Sequence, residues 1–485
     1  MNRKIAFGVL WNLATLMLGR GASIIFTLFL ARLLAPEAFG LIAMTAVIFE
    51  VADVLIQSGL GHALIRSRNV SHADLSTVFL TNIGLSIIAY GAQYFLAPQI
   101  AAFYGEPELT PLVRVAGLIV LLNAFKVVQT AIFRRELNFK PELIATSTGA
   151  LISGVGALCL AYFGAGVWSL VAQLLLAAAA SSAVLWTVSD WRPSLIFNPA
   201  SFNRLFGFGS QLALEGVIEV VYQNSYIFVV GRLFSAELTG LYFFARKIIQ
   251  LVSHQLSRAV EQAIYPALAP LQDDNSTLRE KYRQIVHLTL FTMAPVMSLM
   301  AVLADPLFSL LFGDRWGGAV LYVQLLAIVG ALHPLHALNV NVLNLKGRSD
   351  LVVQSGLLKK GMGFAILFAT MPFGLTAIVA GQALGSILSL VPNMLYTYRL
   401  IEYRPAVQIT EASKPLAAAL LAGGASYSTR LLASDLSPLV QLLSAGSLGL
   451  LVYLVGCAAV GAEGYRLTMQ RAAAALRLRY SSENR

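Results

Sequence analysis

Apolar stretches of about 20 residues, separated by Gly, Pro or charge, recur along the whole sequence, and a stretch of that length is what a helix needs to cross the hydrocarbon of a bilayer. Reading them off predicts about fourteen spans, at 10–33, 38–62, 75–97, 109–133, 142–163, 166–189, 204–231, 238–264, 284–312, 317–344, 350–372, 375–397, 412–434 and 438–462. Hydrocarbon offers backbone polar groups no partner, so spans of this kind must be helices and the expected fold class is all-α integral membrane. Composition points the same way. Of 485 residues 57% are hydrophobic and only 12% charged, half the charge that soluble domains carry. A cytosolic enzyme, a secreted binding module and a disordered scaffold are excluded.

The net charge of +10 would suggest nucleic acid in a soluble protein, but here it has to be placed on the topology first. With a cytoplasmic N-terminus, most Lys and Arg fall in inside segments: Arg3 and Lys4, Arg66 and Arg68, Arg134, Arg135 and Lys140, Arg192 and Arg204, Arg279, Lys281 and Arg283, Lys346 and Arg348, Arg399, Arg404 and Lys414, and the tail from Arg466. Only Arg32, Arg232, Arg315 and Arg430 lie at outer ends. Both termini are therefore expected in the cytoplasm, and no nucleic-acid partner is required. The tail at 465–485 reads either as an ordinary positive-inside tail or as a basic amphipathic helix laid on anionic membrane lipids through Arg471, Arg477 and Arg479. Trp11, Trp168, Trp186, Trp191 and Trp316 all fall near span ends, as interface anchors do. Arg20 interrupts the first apolar stretch and no small-residue cleavage site follows, so the first helix is expected to stay. Cys159 and Cys457 read as small core residues inside spans.

An internal repeat organises the spans. Arg32-Leu33, Glu37 and Gly40-Leu41 recur as Arg232-Leu233, Glu237 and Gly240-Leu241, an offset of 200. Leu137-Asn138-Phe139-Lys140 is echoed by Leu343-Asn344-Leu345-Lys346, Phe163-Gly164 by Phe373-Gly374, and Gln173 by Gln382. Two homologous six-helix lobes follow: an N-lobe at 1–198, a C-lobe at 199–405, two additional spans at 406–464 and the basic tail. Six is even, so both lobes enter from the same side; such a parallel repeat is transporter geometry, with a central cavity expected near the midplane. The repeated motif itself reads as helix-start chemistry, Pro36 and Ser235 opening the helices and Glu37 and Glu237 meeting their dipoles.

An ionisable group at the bilayer centre costs at least about 2.5–3.5 kcal/mol, so each needs a partner, water or a function. Arg114, Arg258 and Glu261 lie near span ends and can snorkel. Arg20, Glu50, Asp53, Glu215, Lys359 and Lys360 lie about ten residues from either end, about 15 Å deep, and Lys126, Arg246 and Lys247 are slightly shallower. Glu50 with Asp53, and Glu215 with Glu219, share helix faces. They are candidate gating or coupling carboxylates, or else members of interior salt bridges with Arg20, Arg246 or Lys359. The cations outnumber the acids at depth, and an anion with phosphate groups suits Arg, which offers a fork, and Lys, which offers a point charge. Arg20, Lys126, Arg246, Lys247, Lys359 and Lys360 are thus candidate substrate-binding cations. His254, His333 and His336 are candidate proton carriers or packing residues, and Pro334 between the latter two is expected to kink its helix. The sequence lacks a P-loop, HExxH, CxxC and GxSxG, so no catalytic residue, metal or cofactor is assigned and the chain is not expected to be an enzyme.

Five segments carry a family resemblance: 32–41 (RLLAPEAFGL), Gly59-Leu60-Gly61 with Ala63-Leu64-Ile65, 103–109 (FYGEPEL), 134–140 (RRELNFK) and 166–171 (GVWSLV). With these the chain resembles the polysaccharide and lipopolysaccharide O-unit flippases, colanic-acid-type exporters of the multidrug/oligosaccharidyl-lipid/polysaccharide superfamily. The resemblance implies a bacterial inner-membrane protein that flips an undecaprenyl-diphosphate-linked oligosaccharide by alternating access, with polymerase and chain-length proteins of the pathway as partners. The alternatives are a cation-coupled drug antiporter of the same superfamily and a membrane polymerase or glycosyltransferase acting on the same lipid.

Overall fold

The computed structural model describes residues 21–67 and 69–470. Arg20, Arg68, Trp11 and the tail arginines Arg471, Arg477 and Arg479 lie outside that range, as do the side chains of Arg258 and Glu261. The described chain is helical and contains no strand. The helices are α1 (Gly21–Leu33), α2 (Pro36–Arg66), α3 (His72–Tyr104), α4 (Leu109–Arg135), α5 (Lys140–Tyr162), α6 (Val167–Val188), α7 (Pro199–Leu233), α8 (Ala236–Leu268), α9 (Asn275–Val302), α10 (Ala304–Phe312), α11 (Asp314–Leu345), α12 (Ser349–Thr370), α13 (Leu375–Ile401), α14 (Pro405–Leu432) and α15 (Pro438–Ala459). Within the described residues the apolar stretches read from the sequence fall on these helices, that at 284–312 on α9 and α10 together. Among the described residues ten are long and apolar enough to span a bilayer, or eleven if the bent α7 is one span. The protein is a multi-pass membrane protein. Three expected spans fall outside that count: α1, and α8 and α14, which carry Arg246, Lys247 and His254, and Glu411 and Lys414, within otherwise apolar sequence.

Local chemistry sets the helix starts. Ser71 and Asp74 form a capping box at α3, and the Asn198 side chain accepts from the Ala200 and Ser201 amides with Pro199 at the first position of α7. Asp274 caps α9; hydrogen bonds from the Thr277 and Ser276 side chains and amides hold its carboxyl well below the usual range. The chain divides into two compact units, which part at Phe243/Phe244 inside α8.

In the first unit, residues around Leu41, Met44, Phe49, Leu109 and Leu112 form one core cluster, and Arg204 of α7 pairs with buried Asp74 of α3 at 2.5 Å. The duplicated motif produces matching geometry: α1 ends at Leu33 and α2 begins at Pro36, as α7 ends at Leu233 and α8 begins at Ala236. Gly40 and Gly240 meet where these helices cross. A Cβ at Gly40 would fall 1.8 Å from the Ala236 carbonyl oxygen, and one at Gly240 1.8 Å from that of Pro36. The glycines are thus required by packing, which helix-start chemistry alone did not reveal. A second close approach sets Gly209 of α7 against Gly59, within a π-helical turn of α2 at Gln57–Gly61. The Leu-Asn-x-Lys echo does not hold in space: Leu343–Leu345 end α11, whereas Leu137–Phe139 lie in the turn after α4. The helix ends at Arg135 and Leu345 correspond instead, so that tetrapeptide match is a coincidence of composition.

The second unit is built on Leu278, Tyr282, Leu290, Leu335, Leu338 and Val342. The helix pair α14–α15 packs on α9, with Tyr453 donating to the Phe291 carbonyl (2.8 Å) and Ser298 to that of Ala419 (2.7 Å). Charge locks the end of this seam. Glu411 accepts from Arg283 at 2.6 Å and from the Tyr403 hydroxyl at 2.5 Å, and both Glu411 and Glu463 face His287, at 3.2 and 3.3 Å. Burial, reinforced by Glu411, pushes the Tyr403 phenol up. Glu411→Leu should lower stability by about 1 kcal/mol, since it removes the bonds from Arg283 and the Tyr403 hydroxyl while Glu463 still pairs with Arg283 at 3.2 Å; a melting midpoint in detergent equal to wild type would contradict it. Cys457 is buried as the sequence suggests, but Cys159 is exposed. It sits on the outer face of α5 beside exposed Leu151, Ile152 and Val155, where a small thiol needs no core to be tolerated.

Candidate functional site

The acids at depth belong to the first unit, and the structure gives several of them amide partners that the sequence did not name. Glu50, on α2, accepts from Asn224 Nδ2 of α7 at 2.7 Å. Asp53, one turn on, accepts from Asn123 Nδ2 of α4 at 2.8 Å. Glu219 accepts from Gln223 of its own helix at 2.7 Å, and Glu215, a turn earlier, is exposed. Only the presence of Asn123 and Asn224 within apolar runs could have signalled these bonds.

Lys126 joins the Asp53 side of this cluster through a break in α4. The helix is interrupted at Gly117 and again at Phe125–Lys126. Side chains of α6 take up the carbonyls there: Ser182 donates to Leu122 (2.8 Å) and Trp186 Nε1 to Phe125 (2.9 Å). Lys126 opens the following segment, half-buried and within electrostatic range of Asp53 and Glu142. Arg114 sits near the start of α4, its guanidinium over the Tyr94 ring at 4.6 Å and its Nε donating to the Tyr94 carbonyl.

Four of the six candidate cations, Arg246, Lys247, Lys359 and Lys360, belong to the second unit, and histidines connect them. Arg246 and Lys247 lie on α8, with Arg246 in electrostatic range of His254. The His254 ring lies 4.4 Å, centroid to centroid, from that of His333 on α11. Ser257 donates its hydroxyl to the Ser253 carbonyl (2.8 Å), so its contact with His333 Nδ1 at 3.0 Å has the imidazole N–H as donor. His336, one turn along α11, is in electrostatic range of both His333 and half-buried Lys359 of α12, next to which lies half-buried Lys360. Arg246, His254, His333, His336 and Lys359 therefore form one row of basic groups crossing three helices. No Asp or Glu lies among the described side chains of α8 from Phe244 on, of α11 from Trp316 on, or of α12 from Leu351 on. Between the histidines α11 continues helical through Pro334.

Such a row is suited to holding an anion in a poorly hydrated place. The family model described as "Polysaccharide biosynthesis protein" matches residues 29–321. The chain belongs to that family. Among its relatives are the lipopolysaccharide biosynthesis protein WzxC of Escherichia coli (strain K12), 25% identical over 82% of this chain and 81% of that protein, and the teichuronic acid biosynthesis protein TuaB of Bacillus subtilis (strain 168), 26% identical over 78% and 80%. The succinoglycan biosynthesis transport protein ExoT of Rhizobium meliloti (strain 1021) is 24% identical over 68% and 66%. In fold the chain is similar to the lipid II flippase MurJ in an inward closed conformation, with a TM-score of 0.75 at 13% identity over 95% of this chain and all of that one. It is also similar to an inward-facing multidrug resistance MATE family transporter of the MOP superfamily, with a TM-score of 0.65 at 14% identity over 83% and 99%. The chain thus shares its fold with these two proteins, and it carries an acid cluster in the first unit and a basic row in the second.

Proposed function

We propose that this protein is a flippase that moves an undecaprenyl-diphosphate-linked oligosaccharide repeat unit across the bacterial inner membrane, by alternating access, for exopolysaccharide or lipopolysaccharide assembly. The observation that carries the reading is the row from Arg246 to Lys359. Five basic groups gathered in one row at membrane depth fit a cargo whose constant feature is a diphosphate. In this reading Arg246, Lys247, Lys359 and Lys360, with Arg20 and Lys126, hold the headgroup. Glu50, Asp53, Glu215 and Glu219 supply the gating or coupling charges, and Glu50 changes partner from Asn224 as the transporter turns over. Family membership and relatives named for polysaccharide biosynthesis support the sugar part of the cargo. A drug antiporter of the same fold would take cations, which a basic row repels.

The two lobes of the proposal are 1–198 and 199–405, with 406–464 as an appended pair and 465–485 as a tail; both termini lie in the cytoplasm. Polymerase and chain-length proteins act on the product at the outer face. Deleting the gene tests the whole reading. Mass spectrometry of lipid-linked intermediates is expected to show a complete, unpolymerised repeat unit, reached by a membrane-impermeant sugar-modifying reagent only from the cytoplasmic side. Accumulation at the outer face would assign the missing step to polymerisation and overturn the proposal.

A further inference from the structure

A groove opens on the first unit between α2, α3 and α7, with a volume of about 260 Å³ and walls that are apolar almost throughout. Its lining includes Val47 of α2, Leu96, Ile100 and Phe103 of α3 and Phe228 of α7, and Leu96, Phe103 and Phe228 keep much of their surface exposed. The amide in the wall turns away: Gln99, with its NH₂ placed to donate, reaches the Phe95 and Leu96 carbonyls of its own helix at 2.9 and 3.0 Å. Successive turns of α7 give the groove its ends, since Asn224, Phe228 and Arg232 share one face of that helix. At the mouth the Arg232 guanidinium lies 5.4 Å from the centroid of the Phe103 ring, which stacks on Phe228 at 4.9 Å. At the deep end Asn224 donates to Glu50, one turn along α2 from Val47. From Pro36, where α2 begins, to Val47 is about 16 Å at 1.5 Å per residue, half of a hydrocarbon layer of about 30 Å. The groove therefore covers the depth of one leaflet, that in which α1 ends and α2 begins, the outer one in the orientation proposed above.

We propose that this groove is a binding site for an anionic phospholipid of that leaflet, one acyl chain lying against Leu96 and Phe228 and the phosphate held by Arg232. Three features together select the occupant. Apolar walls at membrane level take hydrocarbon, whereas a peptide or a sugar would leave its polar groups there without partners. Arg232 stands where the chain ends and the headgroup begins, and its guanidinium, placed over the Phe103 ring, offers a phosphate a fork of N–H groups. The charges at this level set how much negative charge fits. Arg32 and Arg232 lie in the last turns of α1 and α7, but Glu37 and Glu237 open α2 and α8, and Glu106 and Glu108 follow α3. A phosphodiester with a single charge meets less repulsion there than a diphosphate does, and a zwitterionic headgroup brings an ammonium that competes with Arg232 for its own phosphate. The site uses no residue of the basic row and stands apart from the cargo. A chain seated in it touches α2, α3 and α7 at once, beside the Glu50–Asn224 bond, so lipid of this leaflet supports the packing of α2 on α7.

The test uses the full chain carrying Leu96→Trp in phosphatidylcholine nanodiscs, into which phosphatidylglycerol or phosphatidylcholine brominated midway along its chains is titrated. Bromine quenches an indole that it touches, and the same titration of wild type is subtracted to remove the signal of the native tryptophans. Half-maximal quenching is expected at a mole fraction of brominated phosphatidylglycerol about 5-fold below that of brominated phosphatidylcholine. Adding Arg232→Gln should bring the two curves together while both lipids still quench. Leu151→Trp, on the exposed face of α5, is the control and should show no preference. Equal curves at Leu96→Trp, a preference that survives Arg232→Gln, or the same preference at Leu151→Trp would overturn the site. So would farnesyl diphosphate relieving the quenching at a lower mole fraction than unbrominated phosphatidylglycerol, which would give the groove to a diphosphate lipid instead. If Leu96→Trp does not accumulate, Phe228→Trp reads the same groove with the same outcomes.

Discussion

Export should fall by about two orders of magnitude when Lys359 is replaced by Ala, while the amount of protein in the membrane stays at the wild-type level. A hydrogen bond to a charged group contributes about 1.5–3 kcal/mol, and the upper end applies where water does not compete, which corresponds to roughly 100-fold in rate or affinity. Arg246→Ala should act in the same direction at the other end of the basic row. Lys359→Arg, which keeps the charge but replaces a point charge with a planar fork, should retain part of the activity. The measurement is flipping of a fluorescent lipid-linked oligosaccharide in proteoliposomes, normalised to reconstituted protein. Wild-type rates in both alanine variants at normal abundance would remove the basic row from the transport path.

Adding one methyl group at Gly40 or Gly240 should prevent accumulation of the protein. At either position the new carbon would lie 1.8 Å from a backbone carbonyl oxygen, and backbone cannot swing aside as a flexible side chain does. The cost is expected at or above about 3 kcal/mol, the upper end for overpacking. Gly91 of α3 is the matched control. Nothing lies within 4 Å of a Cβ there, so Gly91→Ala should be neutral or stabilise by up to about 1 kcal/mol through helix propensity. Size-exclusion profiles of detergent-solubilised fusion proteins would show the difference, and monodisperse Gly40→Ala at wild-type yield would refute the crossing.

What the sequence made legible was set by the range of the physics involved. Runs such as 167–188 announce a helix because burial in hydrocarbon leaves no other backbone solution, and the 200-residue repeat appeared because its glycines cannot change without a clash. Breaks were harder to see: 118–125 reads as unbroken apolar sequence, and the interruption before Lys126 exists because Ser182 and Trp186, about sixty residues away, take its carbonyls. The same applies to partners. Glu50 and Asp53 read as gating carboxylates or as members of salt bridges; in the structure they accept from Asn224 and Asn123, with Lys126 in electrostatic range of Asp53, a choice made by packing between helices that no spacing encodes. The individual basic residues were evident, but that His254, His333 and His336 bridge Arg246 to Lys359 follows only once α8, α11 and α12 are placed side by side.

Helix length divides the protein in a way that bears on the lipid around it. Helices α3 and α8 each run for 33 residues, about 50 Å at 1.5 Å per residue, and extend well past a hydrocarbon layer of about 30 Å. Helices α5, α6, α12 and α15 have 23, 22, 22 and 22 residues, about 33 Å each, with almost nothing to spare. The long rods tolerate a change in bilayer thickness by sliding more or less of their ends into water. The short ones must tilt or thin the membrane around them. Three of the four short helices carry their exposed apolar side chains along much of their length, at Leu151, Ile152 and Val155, at Val353, Leu357 and Phe368, and at Leu443, Leu451 and Val455. They act as the gauge of the molecule: they select the membrane thickness in which it sits without strain and make it sensitive to the acyl-chain length of its host.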